Sequence, residues 1–193
     1  MVYERPESMR ALTRLAHTVL AVVLAVGTLL ACSAAAVQTP YPAPEFTHRE
    51  SADWLNSTPL QLAALRGKVV LVEFWAFECV NCLNSRAWVE SIAKTKAAAG
   101  LVVVAVHTPE LRAERSPDNV RAAVARLGIH YPVMIDGDYS YWNALRNQYW
   151  PAFYLIGRDG LVHGRAIGEL HVGDGSARPV EALIDQLLAA PHS

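Results

Sequence analysis

Between residues 68 and 107 a strand-like run gives way to a helix-like run and then to a second strand-like run, and the first junction is Cys79-Val80-Asn81-Cys82. No other feature restricts the fold and chemistry of this chain as tightly. Lys68 to Phe77 reads KVVLVEFWAF and is bounded by Gly67. A near-continuous β-branched and aromatic run suits a strand buried on both faces. Asn81 to Ala99 has helical spacing: Leu83, Ala87, Val89 and Ile92 fall roughly on one face, and Gly100 stands where a helix-ending glycine belongs. Leu101 to His107, LVVVAVH, is the second strand. Strand, helix and strand at this spacing make a βαβ unit, with parallel strands and a right-handed crossover.

The same reading extends along the chain. Ser116-Pro117 opens a helix predicted through Leu127 and closed by Gly128. Tyr131 to Ile135 is a short strand and Tyr139 to Gln148 a short helix. Pro151 to Ile156 and Leu161 to Ala166 flank Asp159-Gly160 and read as a β-hairpin. Val180 to Ala190 is a closing amphipathic helix, and Trp54 to Leu65 adds a strand and a turn at the front. No window repeats at a fixed period, which excludes solenoids and propellers.

The chemistry sits on the cysteines. A thiolate at a helix N-terminus meets free backbone N–H groups and the positive end of the helix dipole, and both lower its pKa. Cys82 lies one turn further in, close enough to Cys79 for a disulfide. Cys79 is then the exposed nucleophile, and Cys82 the shielded thiol that resolves a mixed disulfide. The alternatives are a metal site and a purely structural disulfide. Zinc needs about four ligands; the chain has no second Cys pair, and His107, His130, His163 and His171 are scattered. A disulfide closing so short a loop constrains little of the unfolded chain. No metal and no organic cofactor are expected.

The stretch VLVEFWAFECVNC, followed much later by YWPAFYLIGRDG, resembles the thioredoxin superfamily. WLN (Trp54–Asn56), VAVHTPE (Val104–Glu110) and NQYWPAFYLI are similar to the TlpA/ResA-like group, above all to the thioredoxin-like domain of DipZ-type proteins. The resemblance covers roughly residues 45 to 190. It implies a thioredoxin-like three-layer α/β/α sandwich with a mixed central sheet. It also implies that Pro151 is a cis-proline whose loop faces the disulfide and pairs with a substrate backbone; an ordinary strand-initiating proline is the alternative. Trp150 would line the substrate groove beside the sulfurs, or else be a core aromatic. Glu73 matches a buried acid that relays a proton to or from the inner cysteine; a carboxylate reaching solvent at the sheet end is the alternative. Glu78 reads as solvated and His107 as structural. The departures are Glu78 directly before the first cysteine and Val80-Asn81 between the two, where thioredoxins often carry an aromatic and Gly-Pro. They leave redox potential and partner choice open.

The first 31 residues read as an address. Thr18 to Ala31, TVLAVVLAVGTLLA, carries no charge and follows Arg10 and Arg14. It is short for a bilayer span of ~20 residues and suits a signal-peptide core. Glu4 and Glu7 are unusual in such a flank, and a start at Met9 would remove both. Leu29-Leu30-Ala31-Cys32 resembles the lipobox of bacterial lipoproteins, which implies cleavage before Cys32 and a diacylglyceryl group on it. An ordinary cleaved signal or an uncleaved anchor is the alternative; every version puts the remainder outside the cytoplasm. Residues 32 to 53, rich in small residues with Pro40, Pro42 and Pro44, are expected to be a flexible linker. The thioredoxin-like domain is then 54 to 193. With 17 Lys+Arg against 18 Asp+Glu and no charge run, nucleic acid is not an expected partner.

The expected function is thiol–disulfide exchange with protein disulfides outside the cytoplasm, run as a reductase supplied by a membrane electron donor, with the membrane reached through the lipid anchor. One rival is a peroxidase of the same superfamily, but Val72 and Ala76 stand where peroxiredoxins carry Pro and a hydroxyl residue. A non-catalytic docking module is the rival from another class.

Overall fold

The computed structural model describes residues 39–191. The signal segment, Cys32 and the first part of the expected linker lie outside the described residues. The strands are β1 (Tyr41–Pro42), β2 (Trp54–Leu55), β3 (Val69–Trp75), β4 (Leu101–His107), β5 (Val133–Ile135), β6 (Ala152–Ile156) and β7 (Leu161–Ile167). The helices are α1 (Val80–Lys96), α2 (Pro117–Leu127), α3 (Ser140–Ala144) and α4 (Arg178–Ala189). The seven strands form one sheet in the order β1-β7-β6-β3-β4-β5-β2. β3, β4 and β5 run parallel; β6 pairs antiparallel with β3, β7 with β6 and β2 with β5. The sheet is therefore mixed, and the fold is thioredoxin-like.

Pleating of β3 sorts its side chains between two layers. Val70, Val72 and Phe74 face a core completed by Phe46, Trp54, Tyr141, Trp142 and Tyr154. Val69 and Leu71 face the other side, where Trp88, Val89 and Ile92 of α1 and Ile184 and Leu187 of α4 cover them. By the same parity Glu73 points to the α1 side. Every residue of β3 is buried, Glu73 included, in keeping with a run that is apolar at every other position.

The linker expectation fails over residues 39 to 53. Tyr41–Pro42 pairs with Leu161 and Val162 at the sheet edge, and Ala43 N–H donates to the Gly160 carbonyl at 3.1 Å. Phe46 is 2% exposed, edge-on to Trp54 at 5.5 Å and tilted against Tyr141 at 5.1 Å. The Glu45 carboxylate accepts the N–H groups of Leu62 and Ala63. A single aromatic anchor has no period, so the segment reads as a linker although it is part of the domain.

The other elements deviate at their ends. α2 starts at Pro117 behind the Ser116 cap and stops at Gly128, which takes φ +65°. α3 is shorter than expected; the Asp136 carboxylate accepts the N–H groups of Tyr141 and Trp142 at 2.9 and 3.0 Å and fixes its start. The hairpin turn spans Gly157–Gly160, with Gly160 at φ +72°, and β6 and β7 slip register beside Ile156.

Candidate active site

β3 delivers the chain to the start of α1, and the turn between them carries the cysteines. Cys79 has extended dihedrals and caps α1: its Sγ accepts the Cys82 N–H at 3.3 Å, and its carbonyl accepts the Leu83 N–H at 3.0 Å. Cys79 and Cys82 are joined as a disulfide, with their Cα atoms 5.3 Å apart. The two sulfurs are not equivalent. Cys79 is not the exposed residue expected: packing in the same cluster as Cys82 leaves it 8% exposed beside the open side chain of Val80, against 1% for Cys82. That inequality is what a two-step exchange needs, one reachable sulfur and one protected.

The Trp150–Pro151 peptide is cis. Pro151 is buried, and its carbonyl accepts the Gly168 N–H at 3.0 Å. Trp150 is half-buried and packs against the cluster that holds Cys79, Cys82, Trp75 and Phe77. Its indole N–H donates to the Thr108 carbonyl at 3.0 Å, and its ring lies 4.1 Å from that of Trp142. Trp150 thus packs against both the cluster that holds the sulfurs and the cluster that holds Trp142.

Glu73 is 2% exposed and does not reach solvent at the sheet end. Burial pushes its carboxyl up to about 8, against a smaller downward pull from the Arg86 guanidinium on α1. Arg86 also lines a cavity of about 350 Å³ between α1 and residues 128 to 131, together with Glu90, Lys94, His130 and Tyr131. Glu78 is exposed, as expected. His107 is fully buried, stacked on Phe77 at 5.5 Å and edge-on to Trp75 at 5.1 Å. Burial lowers its pKa to about 4, which makes the ring neutral at pH 7.

Sequence reasoning missed Glu114. It is 1% exposed and accepts the N–H of Glu78, the residue before Cys79, at 2.7 Å. It stands between the exposed Arg112 and Arg115, and Leu111 has no side-chain oxygen to complete a Ser/Thr-x-x-Glu capping box, so no local sequence signal marked it. Away from the sulfurs, His48, Asp136 and Asp138 bring ligand atoms within 4.8 Å of one another. Asp136 is occupied by Thr108 Oγ1 at 2.9 Å and by the first N–H groups of α3, so the group serves as an anchor for that helix.

The redoxin family profile matches residues 38–183, most of the chain and nearly all of the described fold. The chain belongs to the redoxin family. Among the proteins it resembles are ones named as thiol–disulfide oxidoreductases and thiol:disulfide interchange proteins. Over 138 residues this redoxin is 42% identical to Protein DipZ of Mycobacterium bovis; the match takes 70% of this chain and 19% of DipZ. The chain thus spans about a fifth of that relative. The thiol-disulfide oxidoreductase YkuV of Bacillus subtilis is 26% identical over 148 residues, 77% of this chain and 95% of YkuV. The crystal structure of a thiol:disulfide interchange protein from Chlorobium tepidum superimposes with a TM-score of 0.59 at 26% identity, covering 78% of this chain and 98% of that one. The family match begins at residue 38, which agrees with the packed segment around Phe46.

Proposed function

We propose that this redoxin reduces protein disulfides outside the cytoplasm, held to a membrane by lipid on Cys32. The observation that carries the reading is the unequal pair: a capped, reachable Cys79 and a shielded Cys82. In the reduced protein, the Cys79 thiolate attacks one sulfur of a substrate disulfide. The substrate S–S bond breaks, a mixed disulfide forms through Cys79, and the first substrate sulfur leaves as a thiolate. Cys82 then gives its proton to the Glu73 carboxylate and attacks the Cys79 sulfur. The second substrate sulfur leaves, the substrate is reduced by two electrons, and the Cys79–Cys82 disulfide remains. A dithiol donor at the membrane reduces that disulfide again, and Glu73, protonated in the oxidised state because of its burial, returns the proton to Cys82. Trp150 and Pro151 guide the substrate chain past the sulfurs.

Insulin reduction and the reduction potential of the Cys79–Cys82 pair test this. Thioredoxin lies at about −270 mV and the oxidant DsbA at about −120 mV. Turnover of insulin with a potential near the thioredoxin end supports the reductase; a potential near the DsbA end overturns it.

The anchor has its own test. Among the described residues no helix is long and apolar enough to cross a membrane, so the reading rests on the apolar run ending at Cys32. Expressed in a bacterium, the protein is expected to carry diacylglyceryl on Cys32 and to sediment with membranes, and Cys32→Ser to lose the lipid. A soluble wild-type product cleaved at another site would refute the anchor.

A further inference from the structure

We infer that Glu114 is a positioning residue for the disulfide: its carboxylate fastens the turn that carries Cys79 to the loop after β4, and its negative charge keeps the pair reducing. The inference rests on the reading of Cys79 and Cys82 as a redox pair. One oxygen of Glu114, Oε1, accepts the Glu78 N–H at 2.7 Å, across 36 residues of chain. The other, Oε2, accepts the N–H groups of Glu110 at 2.8 Å and Leu111 at 2.7 Å. Three donors and 1% exposure suit a carboxylate, which only accepts. Closing the local turn needs Oε2 alone; Oε1 is committed to the cysteine turn.

The same loop is fastened on its other side. Thr108 N–H donates to the Trp75 carbonyl at 3.1 Å, and the Thr108 carbonyl holds the Trp150 indole. One loop therefore ties the residue before Cys79 to the residue before Pro151, the two sides of the exchange site.

The charge matters because nothing cancels it. Glu114 has no ion-pair partner among the described residues. Arg112 and Arg115 on its own turn are exposed, as is the Asp118–Arg121 pair on α2. His107 on β4 is neutral at pH 7, and Glu73 on β3, Glu78 and Glu110 add no positive charge in either protonation state. An uncompensated carboxylate next to the Cys79 turn disfavours the Cys79 thiolate. A destabilised thiolate makes the reduced form a better electron donor.

Glu114→Gln is the discriminating change. Its carbonyl oxygen can keep the Glu110 and Leu111 bonds, while its NH2 meets the Glu78 N–H, so the tie and the charge go together. Equilibration with glutathione should shift about tenfold toward the dithiol, about 30 mV more oxidising. Iodoacetamide should label Cys79 of the reduced variant several-fold faster at pH 6. Glu114→Asp keeps the charge but is one methylene short of Glu78; it should lower Tm and leave the glutathione equilibrium at the wild-type value. The inference falls if Glu114→Gln folds and leaves both readouts unchanged. It falls equally, whether or not Glu114→Gln folds, if Glu114→Asp shifts the equilibrium tenfold. Wild-type protein that fails to reduce insulin would instead remove the reductase reading, because alkylation and glutathione equilibration still report on Glu114.

Discussion

Cys82→Ser is expected to stop turnover and to leave the protein bonded to its substrate through Cys79, whereas Cys79→Ser is expected to make no mixed disulfide at all. The asymmetry follows from position. Cys79 caps α1 at 8% exposure and Cys82 lies deeper at 1%, so a protein disulfide meets the first sulfur before the second. Once the mixed disulfide forms, Cys82 is one helical turn away, with its Cα 5.3 Å from that of Cys79. Well-placed intramolecular groups reach effective concentrations of ~10⁵ M and above. An external thiol at millimolar concentration replaces Cys82 only with a loss of several orders of magnitude. Non-reducing electrophoresis of each variant after incubation with insulin, followed by mass spectrometry of the adduct, gives the result. An adduct on Cys82 in the Cys79→Ser protein would invert the assigned roles.

Glu73→Gln should slow the resolving step by a factor of ~10² or more, the lower range for losing a positioned acid–base group, and leave the first attack by Cys79 nearly intact. Mixed disulfide should therefore accumulate. Single-turnover kinetics from pH 6 to 8 separate the two steps; a wild-type resolving rate across that range would make Glu73 a bystander. The same residue makes stability depend on pH. Its folded value of about 8 lies above the ordinary 4.5, so between these values the native state holds a proton that the unfolded chain has lost. The stabilising contribution is complete below pH 4.5 and disappears as pH rises through about 8. At about 1.4 kcal/mol per pKa unit, the difference between pH 4 and pH 9 comes to roughly 5 kcal/mol. Urea titrations over that range should show wild-type stability falling and a flatter profile for Glu73→Gln. Equal slopes would show that the carboxyl ionises freely in the native state.

Much of this architecture is written in local spacing. The run from Val69 to Trp75 is apolar at every position but Glu73 because both faces of β3 are covered, and such a run is visible without coordinates. The Ser116-Pro117 start and Gly128 stop of α2 are equally local, since a cap and a left-handed glycine act within one turn. The Cys-x-x-Cys pair needed only its place between a strand and a helix. Phe46 shows the limit: its burial depends on Trp54 and on Tyr141, nearly a hundred residues away, and no periodicity marks one side chain filling a gap between distant elements.

The sequence by itself determined the βαβ frame, the hairpin, the closing helix and the identity of the two sulfurs, because hydrophobic period, turn residues and motif spacing are properties of neighbouring residues. Tertiary structure alone decided which charges are buried and what they touch. Glu73 and Glu78 are the same residue type a few positions apart, yet β3 buries the first between layers and the turn exposes the second. Glu114 and Glu110 lie in the same loop, and only Glu114 turns inward to meet the Glu78 N–H. Burial of a carboxylate is set by how distant elements pack, and desolvation and hydrogen bonding follow from that packing and not from the order of residues along the chain.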